Sequence, residues 1–126
     1  MLVKMRKVVG ASFFEKMSDK QLVIEGCKLL KKIERQCDYY TRFEKTDFED
    51  LLSVKNEVEF LIDAVKTNAI DELLYDTSEK TRDYHFKKLA TQNNWNDKQM
   101  RLIEDFDHVL IEMLVRKGLI YRYKQR

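Results

Sequence analysis

Apolar residues recur along this chain at the spacing of an α-helix. Between Asp19 and Tyr40, the residues Leu22, Leu29, Leu30, Ile33, Cys37 and Tyr40 share one face at 100° per residue, which predicts a first long helix. A second stripe, Phe48, Leu51, Val54, Val58, Leu61, Ile62 and Val65, predicts a helix over Asp47 to Lys66 and is the most regular amphipathic pattern in the chain. Ile70, Leu73 and Leu74 mark a short helix over Ala69 to Asp76. Phe86, Leu89 and Ala90 mark a weaker one over about Ser78 to Gln92. The triplet Asn93-Asn94-Trp95 reads as a loop, because Asn tolerates left-handed backbone and competes locally for hydrogen bonds. The last helix, Asp97 to Lys117, carries Leu102, Ile103, Phe106, Val109, Leu110, Ile111, Met113, Leu114 and Val115. These cover more than half its circumference, so it is expected at the centre of a bundle.

The polar positions supply the punctuation. Ser12 with Glu15, Ser18 with Gln21, Thr46 with Glu49 and Asn96 with Gln99 have the spacing of a capping box, in which the side chains at N-cap and N3 each satisfy the other's backbone amide. Gly118 is placed to end the last helix, with Leu119 closing onto Leu114. At both ends the period changes to two. Val3, Met5 and Val9 alternate with polar or opposite-face neighbours, as do Leu119, Tyr121 and Tyr123, so the termini are expected to form at most a small two-stranded ribbon. The fold expectation is therefore all-α: one domain of four to five helices spanning residues 1–126.

Composition agrees with this expectation. The chain has 126 residues, 44% of them hydrophobic, with three glycines and no proline. That suits helices joined by tight polar turns, and it leaves too little turn glycine and proline for an all-β fold. No apolar run approaches membrane-spanning length, and residues 1–14 lack the apolar stretch of a secretory signal. Cys27 and Cys37 on one helix would lie about 15 Å apart along its axis, beyond disulfide reach. Two free thiols and no signal fit a cytoplasmic protein.

Charge sharpens the picture. The chain holds 24 Lys and Arg against 22 Asp and Glu, but the near-balance is not local. Residues 1–45 carry +5, residues 46–79 carry −8 and residues 80–126 carry +5. An acidic second helix thus sits between basic neighbours, either pairing its charges around the rim or presenting a dipolar surface to partners. Lys28, Lys31, Lys32 and Arg35 form a basic stripe opposite the apolar face of the first helix. Arg42, Lys45, Lys80, Arg82, Lys87 and Lys88 are candidates to extend it toward a nucleic-acid surface, with Tyr39, Tyr84 and Tyr123 available for stacking.

The segment Leu114-Val115-Arg116-Lys117-Gly118-Leu119-Ile120-Tyr121-Arg122 resembles the end of the recognition helix and the first wing strand of winged-helix regulators. The resemblance covers nine residues and would imply DNA binding. The helix before it is longer and more apolar than one that lies in a groove, so the family is not assigned.

Other chemistry finds little support. Asp105 and His108, with Glu104 and Glu112, share a face at i, i+3 and i+4 spacing like half of a carboxylate metal site. His85 has Arg82, not a carboxylate, three residues before it, and Arg101 shares the face, so a solvated ion-pair surface is expected and no metal or cofactor is implied. There is no nucleophile motif and no glycine-rich phosphate loop. Asp107 falls inside the apolar arc of the last helix, which predicts a buried carboxylate paired with a Lys, Arg or Tyr of another helix. Ile24, Phe60, Val115 and Trp95 lie off the apolar stripes. Of these, Phe60, Ile24 and Trp95 are the candidate partner-binding residues, Phe60 because it stands in an acidic face that suits a basic, apolar partner or a second copy of the chain. The functional expectation is a non-catalytic protein-binding or regulatory module. Nucleic-acid binding through the basic faces is the alternative.

Overall fold

The computed structural model describes residues 3–4, 12–43, 48–70, 84–118 and 120–121. Among them are five helices: α1 (Ser12–Glu15), α2 (Asp19–Phe43), α3 (Phe48–Thr67), α4 (His85–Gln92) and α5 (Asp97–Arg116). Two short strands, β1 (Val3–Lys4) and β2 (Ile120–Tyr121), pair in parallel, Val3 with Ile120 and Lys4 with Tyr121. The protein is an all-α bundle with its ends tied by this two-residue ladder. None of the described helices is long and apolar enough to cross a membrane. The expected helix over Ala69 to Asp76, the Thr46 and Glu49 capping box and the Leu119 closure fall wholly or partly outside the described residues.

The stripes fold as their periods predict. On α2, Leu22, Leu30, Ile33 and Cys37 are almost wholly buried, and on α3 Val54, Val58, Leu61 and Val65 are completely so. Burying each of these aliphatic side chains contributes about 1.5–3 kcal/mol, which is what holds an otherwise marginal helix in place.

The centre of the bundle is α2, not α5. α2 packs against α3, α4 and α5, whereas α5 packs on α2, α1 and β2. Gly26 is the reason for the close approach. A Cβ there would meet Val109 Cγ1 of α5 at 3.3 Å and Val65 Cγ1 of α3 at 3.4 Å. α5 is instead one-sided. Ile103, Phe106, Val109, Leu110 and Met113 face the core, while Asp97, Lys98, Arg101 and Glu104 are exposed. Its count of apolar residues is high because Leu102, Ile111 and Val115 flank the core at intermediate burial.

The helix ends are set by short-range polar contacts. Asn96 and Gln99 form both halves of the capping box, at 2.9 and 2.8 Å. Ser18 Oγ accepts from the Gln21 amide at 3.2 Å. Gly118 closes α5 with φ 75°, and Asn94 turns the α4–α5 loop with φ 52°. That loop carries Trp95 inward. Trp95 is only 7% exposed, so the expectation that it would be a surface anchor is wrong: it is core.

Candidate functional site

Two regions collect the chemistry-bearing side chains. The first lies where α4 meets α3 and α5. Tyr84, just before α4, is 3% exposed. Its ring stacks on Phe86 at 4.7 Å and meets Phe106 edge-on at 5.9 Å. Its hydroxyl donates to the carboxyl of Asp107 on α5. Burial pushes that carboxyl up to about 6, while nearby Lys87 and the Tyr84 hydroxyl pull it back down and Glu104 pushes it further up. Asp107 Oδ1 has no hydrogen-bond partner among the described residues. Asp107 is thus half-buried rather than fully buried as expected, with a Tyr and a Lys of another element beside it.

Above it, the first turn of α4 is capped from a different helix. The Glu57 carboxylate of α3 accepts from the His85 amide at 2.8 Å and from the Phe86 amide at 3.1 Å, one oxygen each. A carboxylate at a helix N-terminus satisfies free amides and complements the helix dipole. His85 Nε2 lies 3.3 Å from Asp50 Oδ1 on the same face of α3. Glu57, Tyr84, His85, Lys87, Lys88 and Thr91 line an open cleft of about 510 Å³. Its carboxylate, hydroxyl and imidazole are thus already engaged in holding α4 in place. Lys87 and Lys88 are exposed at its rim.

The acidic face of α5 is also structural. Glu112 is only 5% exposed, not solvated as expected, because it accepts from Arg116 Nε at 2.8 Å. The same guanidinium donates to Asp19 at 2.7 Å and to the carbonyls of Phe14, Glu15 and Met17. Arg116 thereby pins α1 and the start of α2 onto the end of α5. His108 is half-buried beneath Phe14, and burial lowers its pKa. No group of three or more potential ligands that would hold a metal occurs among the described residues. Neither Cys27 nor Cys37 is in a disulfide, and burial raises both thiols, Cys37 to about 12, so neither is an activated thiolate.

The second region is the outer surface of the α2–α3 pair. Lys28, Lys31, Lys32 and Arg35 are exposed on the face of α2 opposite its core stripe. Lys28 lies 3.7 Å from Glu25 and Lys31 3.8 Å from Glu34. Ile24, 45% exposed, and Tyr39, 55% exposed, stand in the same basic face. On α3 the outer face is mainly acidic, with Glu49, Glu59 and Asp63 exposed, and exposed Lys55 and Lys66 border it on the Leu52 side. It carries Phe60 at 51% and Leu52 at 48% exposure, eight residues apart and so about 12 Å along the axis.

Ile24 and Phe60 thus sit where their off-stripe positions put them, and Trp95 does not join them. Lys87 and Lys88 belong to the α4 cleft, on a different helix from the α2 basic stripe. Arg42, Lys45, Lys80, Arg82 and Tyr123 lie outside the residues whose side chains are described. Leu52 is a surface residue that pattern reading passes over. Its spacing from Phe60 is the signal that would have found it. The strand after Gly118 pairs in parallel with β1, whereas a wing opens an antiparallel hairpin, and the apolar face of α5 is buried rather than free for a groove. Comparison with protein-family models, with curated proteins and with solved structures finds no match.

Proposed function

We propose that this protein is a non-catalytic protein-binding module, an accessory or inhibitory component of a larger assembly, and that the outer face of α3 is its docking surface. The observation that carries this reading is the pair Leu52 and Phe60. Two large apolar side chains, each about half exposed, stand on one charged helix face while Leu51, Val54, Val58, Leu61 and Val65 are turned inward. Apolar anchors on a face of mainly one sign of charge suit a partner that is apolar at its centre and opposite in charge at its rim. The partner is therefore a basic amphipathic segment. Binding of a fluorescent Lys/Leu amphipathic peptide, followed by anisotropy, tests the reading. Leu52→Ala and Phe60→Ala are expected to weaken binding with unchanged circular dichroism. Equal binding by the native protein and both variants would sink it.

A second reading has one observation in its favour. Tyr39 is exposed on the same face of α2 as Lys28 and Arg35, a base-stacking side chain among phosphate-binding ones. Labelled single-stranded and duplex DNA and RNA, titrated at several salt concentrations, separate the two. Nucleic-acid binding loses affinity steeply with salt and is abolished by Lys28→Glu/Lys31→Glu/Lys32→Glu.

A further inference from the structure

The proposed docking face of α3 asks for a basic helix with exposed apolar residues, and the chain itself supplies one. The outer face of α2 carries Lys28, Lys31, Lys32 and Arg35 together with exposed Ile24 and Tyr39. We infer that the chain binds a second copy of itself, with the basic outer face of α2 in one copy seated on the acidic outer face of α3 in the next. This deepens the docking reading above and rests on it.

Three observations support this assignment. The first is charge. Glu59 and Asp63 on α3 form no ion pair among the described residues, and Lys32 and Arg35 on α2 likewise have no such partner. The two ion pairs that α2 does form on its flanks, at 3.7 and 3.8 Å with exposed lysines, are long, solvent-screened and easily exchanged. The second is position. Within one chain α2 and α3 meet through their buried stripes, so their outer faces point away from that contact and cannot neutralise each other. Between copies, the two faces are free to meet. The third is apolar content. Each face offers two exposed apolar residues, Leu52 and Phe60 about 12 Å apart and Ile24 and Tyr39 about 22 Å apart. The unequal spans allow one direct apolar contact, with the remaining side chain lying on the aliphatic stems of the lysines.

Because the two faces differ, the contact is heterologous, and it grows with concentration unless the geometry closes. The test is sedimentation velocity on the full chain over a range of concentrations, at low and at high salt. The native protein is expected to show an average mass that rises with concentration and falls back toward the monomer at high salt. Lys28→Glu/Lys31→Glu/Lys32→Glu/Arg35→Glu makes both faces acidic, and Glu59→Lys/Asp63→Lys makes both basic. Each variant alone is expected to associate at least about tenfold more weakly than the native chain. Mixed in equal amounts, the two variants are expected to associate again, because every face then meets its opposite. A native protein that stays monomeric at all concentrations overturns the inference, as does a mixture that fails to recover. If the monomer still binds the Lys/Leu peptide through Leu52 and Phe60, only the self-docking is lost and the docking face stands. If it binds no peptide either, both readings fall together.

Discussion

Replacing Asp107 with Asn should stabilise the protein at neutral pH. In the folded chain burial holds the Asp107 carboxyl at about 6, against an ordinary 3.8. A folded-state value above the unfolded one means that the native state binds the extra proton between those two pH values. Stability therefore declines as pH rises from about 4 to about 6, and above that the full cost of the buried charge is present. The gap between 3.8 and about 6 corresponds to ~3 kcal/mol. Asn is nearly the same shape, and its carbonyl oxygen can still accept from the Tyr84 hydroxyl. Its amide is left to find a partner in a site where Oδ1 has none among the described residues. That loss, about 1 kcal/mol at any pH, reduces the gain to about 2 kcal/mol at pH 7.5. The assay is urea unfolding of native protein and Asp107→Asn at half-unit steps from pH 4 to 8. The quantity to follow is the difference between the two, which cancels every other titrating group. That difference should be at or slightly below zero at pH 4, rise by ~3 kcal/mol in all as the carboxyl ionises up to about pH 6, and stay level beyond. A variant less stable than the native chain at pH 7.5, or a difference that does not change with pH, would refute the account.

Other substitutions probe the contacts that build the bundle. Arg116→Ala takes the guanidinium away from the 5%-exposed Glu112 carboxylate and releases the carbonyls of Phe14, Glu15 and Met17. The expected loss is about 3–5 kcal/mol in urea unfolding, with faster hydrogen exchange across residues 14–18. Glu57→Ala removes the acceptor for two α4 amides and should cost about 1–2 kcal/mol, seen as reduced protection of His85 and Phe86 before global unfolding. Gly26→Leu drives a branched side chain between Val65 and Val109 and is expected to abolish the cooperative transition, whereas Gly118→Ala, where φ is 75°, should cost about 1 kcal/mol.

Much of the bundle is legible in the sequence because its long helices are amphipathic and locally punctuated. The period of Leu22, Leu29, Leu30 and Ile33, or of Val54, Val58, Leu61 and Val65, leaves one face to bury. The Asn96 and Gln99 box and Gly118 act within a single turn, so their partners are near in the chain. What escapes is whatever depends on residues distant in sequence. Trp95 reads as a loop residue, and only the fold turns it inward. Glu112 reads as solvated until α1 and the start of α2, almost a hundred residues away, bring three carbonyls and Asp19 to share its arginine. Counting apolar residues favours α5 as the centre. The central helix is α2, because one glycine lets two neighbours approach it at once, a property of shape that hydropathy does not register. Asp107 was readable, since its angle alone sets it in the apolar arc, and its partners Tyr84 and Lys87 are of the types such a carboxylate requires. The docking surface was half readable. Phe60 and Ile24 stand out by angle, but Leu52 gains meaning only beside Phe60 on a face known to be exposed.

The cap that Glu57 supplies to α4 has a consequence for the order in which the chain folds. α4 has only eight residues, too few to persist alone in water, and its N-cap residue, Tyr84, makes no side-chain cap hydrogen bond. Glu57 lies 28 residues before His85 and reaches the site only from a finished turn of α3. Nucleation of α4 is therefore second-hand: the template must exist before the copy can start. The prediction for folding kinetics is that the α2–α3 hairpin forms the nucleus and α4 joins after the barrier is crossed. Truncating Glu57 should then speed unfolding while leaving the refolding rate almost unchanged.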